Sequence, residues 1–86
     1  VIANPVELLR FEASLRDLTQ EIRSRRVALE KETSDVSSFW NDARYRKFVK
    51  EQETLMLQIQ VFERMSERYS DFLRRKAAAL DEINRR

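Results

Sequence analysis

The stretch Ser37-Ser38-Phe39-Trp40-Asn41-Asp42 divides the chain into two long helical segments. On either side of it, apolar residues recur three or four positions apart, which is the spacing that places one apolar stripe along an α-helix. Serine is a weak helix former, and serine, asparagine and aspartate are favoured at helix starts, so the chain can turn here and run back. The sequence therefore predicts an all-α fold, an antiparallel two-helix hairpin of the coiled-coil type.

The helix boundaries follow from local signals. Asn4 is a favoured N-cap, Pro5 suits the first helical position, and Glu7 completes the spacing of a capping box. We expect Asn41 or Ser38 to cap the second helix, with Asp42 favourable to its dipole. The prediction is one hairpin domain over residues 1–86, with a first helix over about 5–37, a turn over about 38–41 and a second helix over about 42–84.

Composition excludes several classes of function. The chain has no Gly, no Cys and no His, and 37% of its residues are charged. The usual zinc, haem and thiol chemistries therefore lack their ligands and nucleophiles, and the face shared by Glu63 and Glu67 makes a poor metal site without histidine. We expect no enzymatic activity, no catalytic or metal-binding residue and no cofactor. No apolar run approaches the ~20 residues of a membrane span. Compartment stays open between the cytoplasm and export without a cleaved signal peptide.

The two apolar stripes predict how the helices pair. Antiparallel alignment gives a register in which paired residue numbers add up to about 77, with Leu15 opposite Phe62 and Ile22 opposite Leu55. The stripe of the first helix is predicted to contain Leu8, Phe11, Leu15, Leu18, Ile22, Arg25, Leu29, Glu32 and Val36. The stripe of the second is predicted to contain Tyr45, Phe48, Gln52, Leu55, Ile59, Phe62, Ser66, Tyr69, Leu73, Lys76, Leu80 and Ile83.

Apolar residues outside these stripes predict a partner. In this register Lys76, Leu80 and Ile83 extend beyond the first helix. One flank of the second helix is formed by Val61, Met65, Phe72 and Ala79, and Val49 and Met56 add apolar surface on its other flank. Exposed apolar strips of this size mark interfaces, although some of these residues could simply be exposed singly. The candidate partner-binding residues are Val61, Met65, Phe72, Leu80 and Ile83. We expect a homodimer, or a heterodimer with a related hairpin, forming a four-helix or larger bundle.

The turn carries the one local motif, which consists of Phe39, Trp40, Asn41, Asp42, Tyr45 and Phe48. Trp40 can close the end of the hairpin by packing on Tyr45 and Phe48, or it can present its edge to a partner. In length, hairpin architecture and central tryptophan, the chain resembles the WXG family of small type VII secretion proteins. Asp42 stands where that family has glycine, and Tyr69 is followed four residues later by Leu73 rather than by the acidic residue of the family's export signal.

The resemblance implies a non-enzymatic protein–protein interaction module that acts through coiled-coil dimerisation. One alternative is a nucleic-acid-associated hairpin that uses its basic second half, where residues 41–86 carry eleven Lys/Arg and eight Asp/Glu. Interspersed acidic residues disfavour it, because tight binding needs many phosphate contacts. The other alternative is a structural coiled-coil fragment of a larger assembly. The basic clusters that could contact a phosphate backbone in the nucleic-acid alternative are Arg23/Arg25/Arg26, Arg74/Arg75/Lys76 and Arg85/Arg86.

Overall fold

A computed structural model describes residues 4–85 of the chain as two long helices packed against each other. Helix α1 spans Pro5–Val36 and helix α2 spans Ala43–Asn84, with residues 37–42 between them. The predicted all-α hairpin is confirmed. The molecule measures 66 × 16 × 16 Å, and its radius of gyration is 19.4 Å. A compact chain of this length would have a radius of gyration of about 12 Å. Within the described residues, neither helix has a segment apolar and long enough to cross a membrane.

Side-chain caps begin both helices. The Asn4 side chain accepts a hydrogen bond from the Val6 amide at 2.9 Å, as its predicted N-cap role requires. Helix α2 is capped by Asp42, whose Oδ1 accepts from the Tyr45 amide at 2.9 Å. The prediction of Asn41 or Ser38 as this cap is wrong. Asp42 has the extended backbone of an N-cap residue, and its carboxylate bonds the free amide three residues later.

The surface between the helices, here called the seam, is rotated from the predicted stripes by less than one residue position. Glu12 and Thr19 of α1 are buried, whereas Phe11 and Leu18 are exposed. On α2, every second predicted position is retained, and the others are replaced by the next residue in the chain. The seam residues of α2 are Tyr45, Val49, Gln52, Met56, Ile59, Glu63, Ser66, Ser70, Leu73, Ala77 and Leu80. The expectation that Val49 and Met56 lie on an outer flank is therefore wrong.

The helix register also differs from the predicted one. Glu12 contacts Ser70 and Thr33 contacts Gln52, where a sum of about 77 would place residues 65 and 44 opposite them. Ile22 shares a groove with Ile59 and Phe62, one turn beyond Leu55. A shift of seven residues keeps a heptad stripe in phase, so periodicity alone could not choose between such registers.

The shifted register brings the end of α2 under α1. Leu73 and Ala77 are buried, with 4% and 2% of their surface exposed, and Leu80 is half-buried. The predicted overhang of Lys76, Leu80 and Ile83 is therefore wrong for Leu80, whereas Lys76 and Ile83 are exposed. Helix α1 therefore covers more of α2 than expected. Most of the exposed apolar side chains lie along the length of the hairpin rather than at its open end.

Candidate interaction surface

The seam is held at its centre by a carboxylate between two arginines. Glu63 of α2 accepts from Arg23 Nε at 2.9 Å through Oε1 and from Arg26 Nε at 2.5 Å through Oε2. Arg23 also bonds Glu67, and Arg26 bonds Glu30 at 3.0 Å. The hydrogen bonds from Arg26, followed by those from Arg23, hold the pKa of Glu63 below its ordinary value, while burial opposes that shift. Glu63 is therefore a charged residue buried with its charge compensated.

A second polar cluster lies nearer the open end of the hairpin. Glu12 is buried, and its carboxylate accepts hydrogen bonds from the Ser70 hydroxyl and from Arg74 Nη1, the latter at 3.1 Å. Arg16 lies 3.8 Å from the other carboxylate oxygen of Glu12. Arg74 also bonds Asp71. Buried carboxylates are costly unless they are paired, so these contacts select one rotation and one register of the helices.

These ion pairs occupy most of the basic clusters singled out in the sequence. Arg23 and Arg26 bind Glu63, and Arg74 binds Glu12. Of the other arginines in these clusters, Arg25 lies 2.9 Å from Glu21 and Arg85 lies 3.0 Å from Asp81. Arg86 lies outside the described residues. An arginine already paired with a carboxylate is a weak contact for a phosphate backbone, so the paired arginines of these clusters are poor candidates for such contacts.

One seam residue is incompletely bonded. Gln52 is buried, and its amide nitrogen donates to the Thr33 hydroxyl. Its carbonyl oxygen, Oε1, is the one buried side-chain polar atom without a partner among the described residues. Gln52 lines an open groove of about 620 Å³ together with Thr33, Tyr45 and Met56. A buried carbonyl without a donor costs free energy, so Gln52 is a weak point of the seam.

The rotation of the seam moves a continuous apolar strip to one side of the hairpin. Both helices contribute to this strip, here called the apolar flank. Its members are each 39–53% exposed. They are Phe11, Leu18, Leu29, Phe48, Leu55, Phe62, Tyr69 and Phe72.

Contacts between the helices show that these side chains form one surface. The rings of Phe11 and Tyr69 meet edge to face at 6.3 Å, and Phe72 stacks on Tyr69 at 6.2 Å. Nearer the turn, Leu29 of α1 shares a groove with Phe48 and Leu55 of α2. The opposite side of the seam carries the ion pairs of Arg23 and Arg74 described above. The hairpin therefore has one apolar side and one charged side.

The sequence-predicted partner residues lie partly on this surface. Phe72 belongs to the apolar flank, and Met65 adjoins it, since it lies three residues after Phe62 and four before Tyr69 on the same helix. Val61, Met65 and Ile83 are exposed by 44%, 62% and 59%, and Leu80 is half-buried. Sequence reasoning missed most of the flank because it assigned those residues to the seam between the chain's own helices. The missed members are Phe11, Leu18, Leu29, Phe48, Leu55, Phe62 and Tyr69.

The turn extends the apolar surface. Trp40 packs against Tyr45 and Phe48, with ring centroids 5.2 and 5.8 Å away, as predicted for a residue that closes the hairpin. Its Nε1 donates to Asp42 Oδ1 at 3.1 Å. The hydrogen bond from the Tyr45 amide is the main cause that lowers the pKa of Asp42, and the Trp40 bond adds to it. Trp40 remains 36% exposed and Phe39 is 79% exposed. Trp40 thus packs on the hairpin and also presents an edge beside Phe48.

The balance of buried and exposed side chains is unusual for a chain that folds alone. Among the described residues, the buried apolar ones are few, namely Tyr45, Met56, Leu73 and Ala77, and six buried residues are polar or charged. The accessible surface is 6996 Å², whereas a compact monomer of this mass would expose about 5,400 Å². The apolar area that should stabilise the fold lies mainly outside the seam.

No family model matches the chain, and comparison with curated proteins and with solved structures also gives no match.

Proposed function

We propose that this chain is a non-enzymatic protein–protein interaction module that binds another helical hairpin through its apolar flank. The observation that carries the proposal is the distribution of apolar side chains. The seam buries four apolar residues and satisfies carboxylates, while eight large apolar side chains line one exposed side. Surfaces of this kind on soluble proteins mark interaction sites. Packing two hairpins flank to flank gives a four-helix bundle, in which both helices of each chain contribute to a shared core.

The resemblance to WXG secretion proteins is part of this proposal. It is supported by the two-helix hairpin and by Trp40 at the turn, where the ring packs on Tyr45 and Phe48. Asp42, which replaces the family's glycine, has a local role here because it caps α2 and accepts the Trp40 Nε1 bond. A structural coiled-coil fragment of a larger assembly would use the same apolar flank, so both roles share one binding surface.

Two leucines on opposite sides of α2 test the proposal. Leu55 lies on the apolar flank, whereas Leu57 is 62% exposed and lines the groove beside Gln52 on the charged side. Leu55→Glu and Leu57→Glu therefore make the same chemical change two residues apart. We expect the first to lower the particle mass measured by light scattering to that of one chain, and the second to leave the mass unchanged.

The melting temperature gives a readout that does not depend on either variant. An associated protein becomes more stable as its concentration rises, because the folded assembly is favoured by mass action. We expect the melting temperature of the unaltered chain to rise over a hundredfold range of concentration. A constant melting temperature together with a single-chain mass would overturn the proposal, as would equal effects of Leu55→Glu and Leu57→Glu on the mass.

A further inference from the structure

We infer that the hairpin covering the apolar flank is a second copy of this chain, antiparallel to the first and related to it by a twofold axis level with Glu63. This inference rests on the proposed function and names the partner. It is carried by the width of the flank and by three charged residues at its ends.

The flank has the size of an interface between two hairpins. From Phe48 to Phe72 it runs along about 36 Å of helix, at 1.5 Å per residue, and the molecule is 16 Å wide. That footprint is roughly 600 Å² on each chain, or about 1,200 Å² in total, the lower end of the range for specific interfaces. A single helix, about 10 Å in diameter, would leave part of this width uncovered. A second hairpin covers it.

Three unpaired charges lie beside the flank, and their signs differ between its two ends; Arg44, seven residues before Glu51 on the same side of α2, lies beyond Phe48 at the level of the turn. Glu51 lines the groove formed by Leu29, Phe48 and Leu55 near the turn. Glu32 lies at the same level, because its neighbour Thr33 bonds Gln52, the neighbour of Glu51.

Lys76 lies at the other end, seven residues beyond Tyr69 and so on the same side of α2. Glu32, Glu51 and Lys76 are all exposed, and none has an ion-pair or hydrogen-bond partner among the described residues.

Only one orientation of two copies matches these charges. Parallel packing would place Glu51 of one copy beside Glu51 of the other, and Lys76 beside Lys76. Antiparallel packing places the carboxylates of one copy beside Lys76 of the other, which favours that arrangement because like-charge contact is costly. The axis then crosses α2 midway between Glu51 and Lys76, at the level of Glu63.

The same axis matches apolar side chains along the flank. With Glu51 opposite Lys76 of the second copy, Leu55 lies opposite Phe72 and Phe62 opposite Met65. Phe48 lies opposite Ala79. Each of these pairs buries apolar surface against apolar surface, and an isologous twofold contact of this kind closes as a dimer.

The absence of cysteine from the chain makes the arrangement directly testable. Glu51→Cys and Lys76→Cys are made as separate single variants, one with a tag that changes its mass, and mixed after reversible unfolding. Upon oxidation we expect a disulfide between Glu51→Cys and Lys76→Cys chains, and no disulfide between two chains of the same variant. In the antiparallel dimer each position lies about 19 Å along the helix from the axis, so identical cysteines are far apart. Met65→Cys, close to the axis, is expected to link to its own copy and serves as the control for oxidation.

The possible failures are distinguishable. Self-linking of Glu51→Cys or Lys76→Cys would show parallel packing and overturn the inference. A particle that depends on Leu55 but gives no link between Glu51→Cys and Lys76→Cys would overturn this inference and leave the proposed function standing. A single-chain mass for the unaltered protein overturns both.

Discussion

Arg26 and Glu63 form an ion pair across the seam, with Arg26 Nε 2.5 Å from Glu63 Oε2 and both side chains largely buried. This pair explains why the helices adopt the observed rotation rather than the one that buries the most apolar residues. A register in which Phe11 and Phe62 entered the seam would move Glu63 away from its arginines. The protein therefore satisfies its buried charge within one chain and leaves its apolar flank exposed.

The Glu63 cluster predicts a dependence of stability on pH. The folded-state pKa of Glu63 lies below the ordinary value of 4.5. Its contribution to the free energy of unfolding is therefore complete above about pH 5 and is lost as the pH falls through the folded-state pKa. Asp42, whose pKa is also lowered, acts in the same direction. We expect the denaturant midpoint to fall on acidification from pH 6 to pH 3.

Glu63→Gln identifies the residue responsible. It should lower the free energy of unfolding at pH 7 by roughly 1–2 kcal/mol, because charge-assisted bonds are lost, and should reduce the acid dependence. Glu67→Gln is the matched control, since Glu67 also bonds Arg23 but its side chain is 54% exposed. An equal effect of the two substitutions at pH 7 would contradict the account.

Gln52 predicts a substitution that does not destabilise the seam. Gln52→Leu removes the unpartnered Oε1 and fills a similar volume, while the Thr33 hydroxyl keeps its bond to the Leu29 carbonyl. We expect the free energy of unfolding to be unchanged or to rise by up to about 1 kcal/mol. Gln52→Ala should instead lower it by about 1–2 kcal/mol, because it leaves a cavity. Equal losses for both, measured by urea unfolding, would show that the amide is needed.

Trp40 predicts a change in stability and a spectroscopic signal. Trp40→Ala removes two ring contacts of a side chain that is 36% exposed, so we expect a loss of about 1–3 kcal/mol. Tryptophan emission in the folded protein should lie to the blue of its position in denaturant. Emission that does not move on unfolding would contradict packing of Trp40 on Tyr45 and Phe48.

The sequence predicted the hairpin because helix signals are local. Apolar spacing, the Asn4 cap and the polar stretch before Trp40 act within a few residues, and the observed boundaries differ little from the predicted ones. Rotation and register depend on contacts between residues about 40 to 60 positions apart. Glu12 with Ser70 and Glu63 with Arg23 are examples, and heptad spacing carries no information about them.

The same limit of apolar spacing affected the prediction of the partner-binding residues. An apolar stripe on a helix predicts that something covers it, but not whether the cover is the other helix of the chain or another molecule. Phe62 and Tyr69 were therefore assigned to the seam, whereas Phe72 and Met65, which lie off the predicted stripe, were correctly expected to be exposed. The neighbouring positions Glu63 and Ser70 are polar, which by patterning alone argues against a seam there, so the sequence carried no simple signal for the rotation.

The central claim is that the apolar flank is covered in solution by a second chain, and sedimentation equilibrium at micromolar concentration tests it most directly. For the unaltered protein we expect a mass of two chains. Phe72→Glu should reduce it to the 10.4 kDa of one chain, because the charge would be buried in the interface, while circular dichroism still reports helix. A mass of one chain for the unaltered protein, unchanged in Phe72→Glu, would contradict the claim.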